Sequence, residues 1–234
     1  MTRLATPTGA VLAGIAAGTV RTEVLAHERV LDVLPPLAGL LPGRGLRRAS
    51  IVACSGGAGV SLALALAAGP SAAGAWVGVV GLPAIGLTAA AELGVALERM
   101  LLVATPPPRR WAEVVAAVAE GTEVVLARAP SPADVRPAEV RRLRARLSGR
   151  GSVLLLVGPA GEPVGADIEL TTSPLGWEGI GAGHGRLAAR RVRVELRGRR
   201  AGRPVGEELW LPGPDGSVAT AVPRPVPLRP PVSA

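Results

Sequence analysis

The sequence of 234 residues contains no lysine, phenylalanine or tyrosine, and it has one cysteine and two histidines. Without lysine, the chain cannot perform chemistry that depends on a lysine amine. With four tryptophans as its only aromatic residues, it offers few side chains on which nucleic-acid bases could stack. Cys54 has no partner for an intramolecular disulfide, and one cysteine with two histidines is too few for a typical structural zinc site. These absences favour a cytoplasmic protein without a structural metal.

The charge of the chain is strongly positive. All 26 basic residues are arginine, against 18 acidic residues, and the formal net charge is +8. An excess of this size attracts polyanions such as nucleic acid. A GC-rich genome would also explain the use of arginine in place of lysine, so the bias alone identifies no partner. The hydrophobic content of 48% is enough for one sizeable core, and we expect a single core domain over residues 35–212.

The N-terminal segment combines apolar stretches with charged residues. Residues 9–20 are apolar and follow Arg3, as in a short signal sequence, but they are too few to span a bilayer. We therefore expect residues 1–34 to form a helical extension without membrane contact. The apolar stretch at residues 51–80 is interrupted by glycines and by Pro70, which suits a strand, a loop and a helix better than a membrane span.

Strands and helices alternate through the middle of the chain. Short apolar runs predict strands, and runs with apolar residues three or four positions apart predict helices. The predicted strands are residues 49–54, 75–80, 100–104, 123–127 and 152–157. The predicted helices are residues 61–68, 88–98, 110–120 and 137–148. This alternation predicts an α/β fold with a mostly parallel sheet flanked by helices on both faces.

Beyond residue 158 the pattern changes to an alternation of polar and apolar residues. It occurs in residues 167–172 and again in residues 190–197, where aliphatic side chains alternate with arginine and glutamate. Such alternation predicts antiparallel, half-exposed C-terminal strands. Residues 213–234 are rich in proline and have no periodicity, so we expect them to form a disordered tail.

A glycine-rich turn follows the first predicted strand of the core. In a phosphate loop, a strand leads through glycines into a helix whose first amide groups bind phosphate. The turn matches Gly-x-x-x-x-Gly-Lys-Ser/Thr at Gly59 and Ser61, but Cys54 replaces the first glycine and Val60 replaces the lysine. Valine offers the phosphates neither a charge nor a donor. The sequence therefore predicts either a tight strand-to-helix connection or a degenerate phosphate loop, formed by Cys54, Ser55, Gly56, Gly57, Ala58, Gly59, Val60 and Ser61.

Residues 35–211 resemble the ATPase core of the RecA family. In residues 37–66 a lead rich in glycine and proline precedes the strand, the turn and the helix, as it does in RecA. Residues 75–106 are the more specific match, because they are similar to the second core strand and the Leu-Gly-Val helix end of the family. The likeness continues through residues 111–127 and 152–211. The resemblance implies a RecA-like P-loop core.

At the catalytic positions that this resemblance identifies, the chain carries other residues. The family's catalytic glutamate falls near Pro83, its Walker B aspartate at or beside Arg128, and its nucleotide-sensing glutamine near Gly158. Metal, base and phosphate contacts are all needed to stabilise a transferring phosphoryl group. Residues 130–136 and 159–165 are also too few to form the two loops by which RecA holds single-stranded DNA. We therefore expect no catalytic residues, no cofactor and no recombinase filament.

This combination resembles the small RecA-like accessory proteins of actinobacterial mutasome cassettes, the ImuA type. The resemblance implies a role in the SOS response, in DNA repair and error-prone translesion synthesis. Its implied partners are an inactive Y-family polymerase homologue and an error-prone replicative-type polymerase, with RecA or DNA as further candidates. The alternatives are a module that modulates recombinase-coated single-stranded DNA, and a protein that binds nucleotide weakly without hydrolysis.

Arginines and tryptophans near the C-terminus are the candidate DNA- or partner-binding residues. They are Arg186, Arg190, Arg191, Arg193, Arg197, Arg199, Arg200, Arg203, Trp177 and Trp210. A strand face of this kind can bind phosphate backbones, dock an acidic partner, or protect an edge strand from aggregation. We expect Trp177 in an exposed glycine-rich loop and Trp210 at the end of a strand. The arginines of residues 136–150 lie on a predicted helix, where we expect them to be solvated.

Overall fold

The computed structural model describes residues 30–131, 134–159, 164–180, 184–198 and 205–221. These residues form a two-stranded sheet and a mixed nine-stranded sheet with helices on both faces. The strands are β1 (Val30–Asp32), β2 (Gly45–Arg47), β3 (Ile51–Gly56), β4 (Val77–Val80), β5 (Met100–Val103), β6 (Val124–Arg128), β7 (Val153–Val157), β8 (Ile168–Ile180), β9 (Gly185–Arg197), β10 (Val205–Trp210) and β11 (Ala219–Thr220). The α-helices are α1 (Pro35–Ala38), α2 (Gly59–Ala72), α3 (Leu87–Glu92), α4 (Trp111–Gly121) and α5 (Pro137–Arg150). Short 3₁₀ helices cover Pro42–Arg44, Leu97–Arg99 and Pro108–Arg110.

The strands of the large sheet lie in the order β11-β10-β9-β8-β3-β7-β6-β4-β5. The six strands from β8 to β5 in this order are parallel, and β9, β10 and β11 extend the sheet with antiparallel pairs. The predicted α/β architecture, with a mostly parallel sheet, flanking helices and antiparallel C-terminal strands, is confirmed. One detail differs, because β8 pairs antiparallel with β9 but parallel with β3.

Two apolar layers hold the helices against the sheet. On one face, α2 buries nearly all of its side chains, as expected of a helix that is apolar all round. On the other face, α4 and α5 pack through residues such as Val115, Leu143 and Leu147. All five residues of β7 are buried between the two layers, which is typical of a parallel strand covered on both faces. The turn that follows β3 therefore begins at the buried centre of the sheet.

The helix predicted over residues 88–98 is shorter in the structure. α3 ends at Glu92, and Gly94 has a φ of 97°, a left-handed conformation that glycine adopts without steric cost. The chain then passes through a 3₁₀ helix into β5. The periodicity of residues 88–98 predicts one helix, whereas the left-handed Gly94 follows its earlier end at Glu92.

Trp177 lies in β8, so the prediction of a loop at this position is wrong. The pairing of β8 with β9 shifts register between Pro174 and Gly176 and again between Glu178 and Ile180. Such bulges allow a strand to continue through proline and glycine, the residues that indicated a loop. Trp210 ends β10, as predicted.

Both ends of the described chain differ from the expected pattern. Residues 1–29, which make up most of the predicted N-terminal helical extension, lie outside the described residues, and Val30–Asp32 is a strand. Residues 213–221, predicted to begin a disordered tail, instead form turns and β11, which pairs with β10. Residues 222–234 lie outside the described residues. Among the helices that the structure describes, none has the length and apolar character needed to cross a membrane.

Candidate functional site

The glycine-rich turn joins β3 to α2 through only two residues. β3 ends at Gly56 and α2 begins at Gly59, so Gly57 and Ala58 alone lie between them. The first three residues of the predicted phosphate loop therefore belong to the strand, and the last three belong to the first turn of the helix. The turn opens at the carboxyl edge of the parallel strands, which is where ligands bind in α/β sheets.

Gly56 brings the end of β3 close against β8. Its φ is 85°, and a Cβ at this position would lie 2.6 Å from Oγ1 of Thr172 and would overlap the Thr172 carbonyl oxygen. A Cβ on Gly59 would lie 2.8 Å from the Cys54 carbonyl oxygen, whereas a Cβ on Gly57 would meet no atom within 4 Å. Two of the glycines in the turn are thus required by packing, independently of any ligand.

The side chain of Thr172 closes the turn from β8. Its hydroxyl accepts a hydrogen bond from the Ala58 N–H at 3.0 Å and donates one to the Ser55 carbonyl oxygen at 2.8 Å. Thr172 is 4% exposed, so both bonds are shielded from water. The Ser55 hydroxyl donates in turn to Oγ1 of Thr171 at 3.1 Å. An amide of the kind that a phosphate loop directs at its ligand is therefore bonded inside the protein.

Arg190 of β9 places its guanidinium beside the same turn. Nη2 donates to the Ser61 hydroxyl oxygen at 2.9 Å, Nη1 to the Gly57 carbonyl oxygen at 3.4 Å, and Nε to the Leu211 carbonyl oxygen at 2.8 Å. Partial burial lowers the pKa of Arg190 through desolvation, but arginine remains protonated near neutral pH. A positive charge therefore lies at the turn, although Val60 supplies none.

The guanidinium of Arg190 also stacks on Trp177, with Cζ 5.1 Å from the ring centroid. Trp177 belongs to the arm, which we define as residues 173–180 of β8 and 185–188 of β9. In β8, residues 173–180 pair only with β9, and all of them are exposed. The exposed large apolar side chains of the arm are Leu175, Trp177, Ile180 and Leu187, each between 45% and 58% exposed. Arg190 thus joins the arm to the glycine-rich turn.

Replacing Arg190 by methionine should loosen the arm. A hydrogen bond to a charged group contributes about 1.5–3 kcal/mol, and an exposed cation–π contact about 0.5–1 kcal/mol. Amide hydrogen exchange in residues 174–180 should therefore accelerate by about tenfold or more, as measured by mass spectrometry. Arg186→Met is the matched control, because Arg186 is an exposed arginine of the arm with no acidic partner among the described residues. Equal exchange in the two variants would contradict the anchoring role of Arg190.

Arg128, Gly158 and Pro83, the positions that the sequence resemblance singled out, lie along the same edge of the sheet. Arg128 ends β6, and its Nε donates to the Gly81 carbonyl oxygen at 3.3 Å. Gly158 follows β7, and its amide donates to the Cys54 carbonyl oxygen at 3.3 Å. Pro83 follows β4. None of these residues has a carboxylate for a metal ion, and the part of the chain that the structure describes holds no group of three or more His, Cys, Asp or Glu residues arranged to bind one.

Cys54 occupies the first position of the predicted loop as a core residue. Its thiol is fully buried, and burial raises its pKa to about 12. At neutral pH the thiol is protonated and shielded, which makes it chemically inert. The residue that replaces the first loop glycine therefore contributes packing and no reactive group.

The arginines of β9 divide between the two faces of the sheet. Arg190 lies on the α2 side, where it reaches Ser61, whereas Arg191, Arg193 and Arg197 alternate with the buried residues and project to the opposite side. The ion pairs on that side are Arg191–Glu208 at 2.9 Å, Arg193–Glu195 at 3.5 Å, Arg193–Glu208 at 3.9 Å and Arg197–Glu195 at 3.1 Å. These glutamates offset much of the positive charge that the sequence suggested for DNA binding.

The two candidate tryptophans lie in different places. Trp177 is exposed in the arm, whereas Trp210 is half-buried beneath Arg191, whose Cζ lies 5.8 Å from its ring centroid. Arg199, Arg200 and Arg203 lie outside the described residues. The structure therefore brings Trp177 and Arg190 to the glycine-rich turn and leaves the other described candidates apart from it.

The contribution of Thr172 to the turn was missed by sequence reasoning. Thr172 ends a segment of alternating polar and apolar residues, which predicts a strand but does not identify the neighbouring strand. Its bond to Ala58 spans 114 residues of sequence. The same limitation applies to Arg190, whose partner Ser61 is 129 residues away.

The fold and the turn define an α/β protein with a mostly parallel sheet and a strand-to-helix turn that lacks the phosphate-loop lysine. Residues 39–162, more than half of the chain, match the model of the MT3502 N-terminal domain family. The chain therefore belongs to the MT3502 N-terminal domain family. Comparison with curated proteins gives no match. The matched region contains β3, the turn and α2, and it ends before β8, so Thr172, Trp177 and Arg190 lie beyond it.

Proposed function

We propose that this chain is a non-catalytic RecA-like accessory protein of SOS-induced DNA repair and error-prone translesion synthesis, of the ImuA type. The RecA-like core is supported by β3, a parallel strand that lies between parallel neighbours and leads through a glycine-rich turn into α2. The antiparallel strands at the end of the same sheet are consistent with a resemblance that extends to residue 211. In this proposal the fold is a scaffold that binds partners and does not hydrolyse ATP.

The internal hydrogen bonding of the turn is the observation that supports a non-catalytic role. The Ala58 amide is bonded to Thr172, and Arg190 holds the Gly57 carbonyl and the Ser61 hydroxyl. An incoming phosphate would find the Ala58 amide already bonded to Thr172. It would then meet neither the loop lysine nor a Walker B carboxylate, the groups with which P-loop NTPases stabilise phosphoryl transfer. The turn is better suited to anchoring the arm than to catalysis.

The arm is the surface that we assign to the polymerase partners. Tryptophan and arginine contribute most to protein interfaces, and Trp177 is 47% exposed while Arg190 holds its ring in place. Leu175, Ile180 and Leu187 add exposed apolar surface to the same hairpin. Clustered apolar exposure of this kind marks interaction sites in soluble proteins. On the resemblance, the partners are an inactive Y-family polymerase homologue and an error-prone replicative-type polymerase.

Two alternative functions are less well supported. Direct DNA binding through β9 is disfavoured because Glu195 and Glu208 pair with the arginines of its outer face. Weak nucleotide binding is less well supported because the turn lacks the loop lysine and its Ala58 amide is already bonded to Thr172. Docking of a protein partner on the arm requires neither the outer face of β9 nor the glycine-rich turn to be free.

Affinity purification from DNA-damaged host cells tests the polymerase proposal. The tagged protein, purified after nuclease treatment, should retain polymerase-family partners identified by mass spectrometry. Trp177→Ala should reduce their recovery by about tenfold or more, because truncating a hot-spot tryptophan costs about 2 kcal/mol or more of binding free energy. Leu102→Ala is the matched control, since Leu102 is 51% exposed on β5 at the opposite edge of the sheet.

Three outcomes would count against this assignment. Recovery of nucleic acid and nuclease-sensitive proteins alone would favour the DNA-binding alternative. Equal loss of polymerases from the Trp177 and Leu102 variants would remove the arm as the contact surface. A rise in melting temperature on adding ATP and Mg²⁺ would favour the nucleotide-binding alternative, because a ligand that binds the folded state stabilises it.

A further inference from the structure

α5 and the residues beside it carry exposed arginines that form no ion pair within the part of the chain that the structure describes. Within the described ranges, no ion pair involves Arg109, Arg136, Arg141, Arg142 or Arg150, and all five residues are exposed. Of the other arginines of α5, Arg144 pairs with Asp167 at 3.4 Å and Arg146 with Glu120 at 2.7 Å. α5 therefore presents an excess of positive charge to solvent, in contrast to the outer face of β9.

A groove of about 310 Å³ lies between α4 and α5, and it carries two of these arginines. Arg109 and Arg142 line the groove together with Glu113 and Glu139. Both glutamates are already engaged, since Glu113 pairs with Arg110 at 3.2 Å and Glu139 accepts a bond from the backbone amide at the N-cap of α5 at 2.9 Å. The guanidinium groups of Arg109 and Arg142 remain available to an external anion.

We infer that the α5 surface binds the phosphodiester backbone of nucleic acid without base specificity. Guanidinium groups suit phosphate because their donors form a fixed fork. Arg142 and Arg150, which have no ion pair among the described residues, lie eight residues apart on α5, about 12 Å along the helix axis and roughly three to four phosphate steps of a duplex strand. The α5 surface would bind DNA whether or not the arm binds a polymerase.

The composition of the groove indicates how this binding differs from sequence recognition. Trp111, the aromatic residue of α4, is buried and bonds the Arg128 carbonyl oxygen through Nε1 at 2.9 Å. No aromatic side chain lines the groove to stack on bases. Affinity should therefore arise from charge, fall steeply with salt, and vary little with sequence.

Fluorescence anisotropy with a labelled 30-base single strand and the corresponding duplex tests this inference. If about three phosphates are neutralised, duplex affinity should fall by about 40-fold between 50 and 200 mM salt. Arg141→Glu combined with Arg142→Glu should weaken binding by at least tenfold and flatten the salt dependence. The matched control is Arg44→Glu combined with Arg47→Glu, which changes the net charge equally at two exposed positions in and beside β2. The control should bind within about threefold of the unaltered protein.

Several results would overturn the inference. Equal weakening by both double variants would mean that net charge alone governs binding. Absence of DNA binding, with capture of a labelled polyglutamate peptide that the α5 variant loses, would assign the surface to an acidic protein partner. Arg141→Gln combined with Arg142→Gln gives an independent check if the glutamate variant unfolds, and unchanged DNA binding by this variant would also count against the α5 surface.

Discussion

Replacing Gly56 by alanine is expected to lower the free energy of unfolding by about 3–5 kcal/mol, among the largest effects of any single substitution in this chain. A left-handed backbone costs a residue with a Cβ about 1–2 kcal/mol, and the φ of Gly56 is 85°. In addition, the new methyl group would overlap the Thr172 carbonyl oxygen, so β3 and β8 would have to separate where the turn is closed. The cost of the strained backbone and the cost of weakened β3–β8 pairing therefore both lower the free energy of unfolding.

Gly57→Ala provides a control that differs by one position. A Cβ on Gly57 would meet no atom within 4 Å, so the substitution should change stability by no more than about 1 kcal/mol in either direction. Urea unfolding followed by circular dichroism compares the two variants. Similar unfolding free energies for Gly56→Ala and Gly57→Ala would mean that the close packing of β3 against β8 does not stabilise the protein.

Most of the parallel sheet could be predicted because local sequence controls it. Residues 153–157 are a continuous apolar run that follows a helical segment, and such a run has few alternatives to a buried parallel strand. The boundaries were less accurate where a single residue decided them, as at Gly94, whose left-handed φ follows the end of α3. Trp177 was assigned to a loop because proline and glycine normally interrupt strands, whereas bulges in the β8–β9 hairpin accommodate both.

The candidate site could be predicted only in part. Its glycines are evident in the local sequence, whereas the hydrogen bonds that close the turn come from residues far away in the sequence. The replacement of the loop lysine by Val60 is evident from the sequence. The bonds from Thr172 and Arg190 depend on the position of β8 beside β3 and on the register of β9, which are properties of the whole sheet. The same is true of the glutamates that neutralise Arg191 and Arg193, since Glu208 comes from a third strand.

The hydrogen bonds that close the glycine-rich turn give it a structural role. A phosphate loop keeps its amides unpaired until a ligand arrives, and buried amides without partners are costly. In this chain the Thr172 hydroxyl of β8 accepts a hydrogen bond from the Ala58 amide. The Arg190 guanidinium of β9 donates to the Gly57 carbonyl oxygen and the Ser61 hydroxyl. The turn then links the core to the arm, and the arm becomes a fixed surface that can be offered to a partner without a large loss of entropy on binding.

Thr172→Val is expected to lower the free energy of unfolding by about 2–4 kcal/mol. Valine matches threonine in volume but lacks the hydroxyl. It would leave the buried Ala58 N–H without its acceptor and remove the donor to the Ser55 carbonyl oxygen, and each such loss costs about 1–3 kcal/mol. Thr172→Ser keeps both bonds and removes one methyl group, so it should lower the free energy of unfolding by only about 1 kcal/mol. Urea unfolding of the two variants separates the effect of losing the hydroxyl from the effect of losing the methyl group. If valine proved as stable as serine, the hydroxyl would not be what closes the turn, and the Ala58 amide would be available to a phosphate after all.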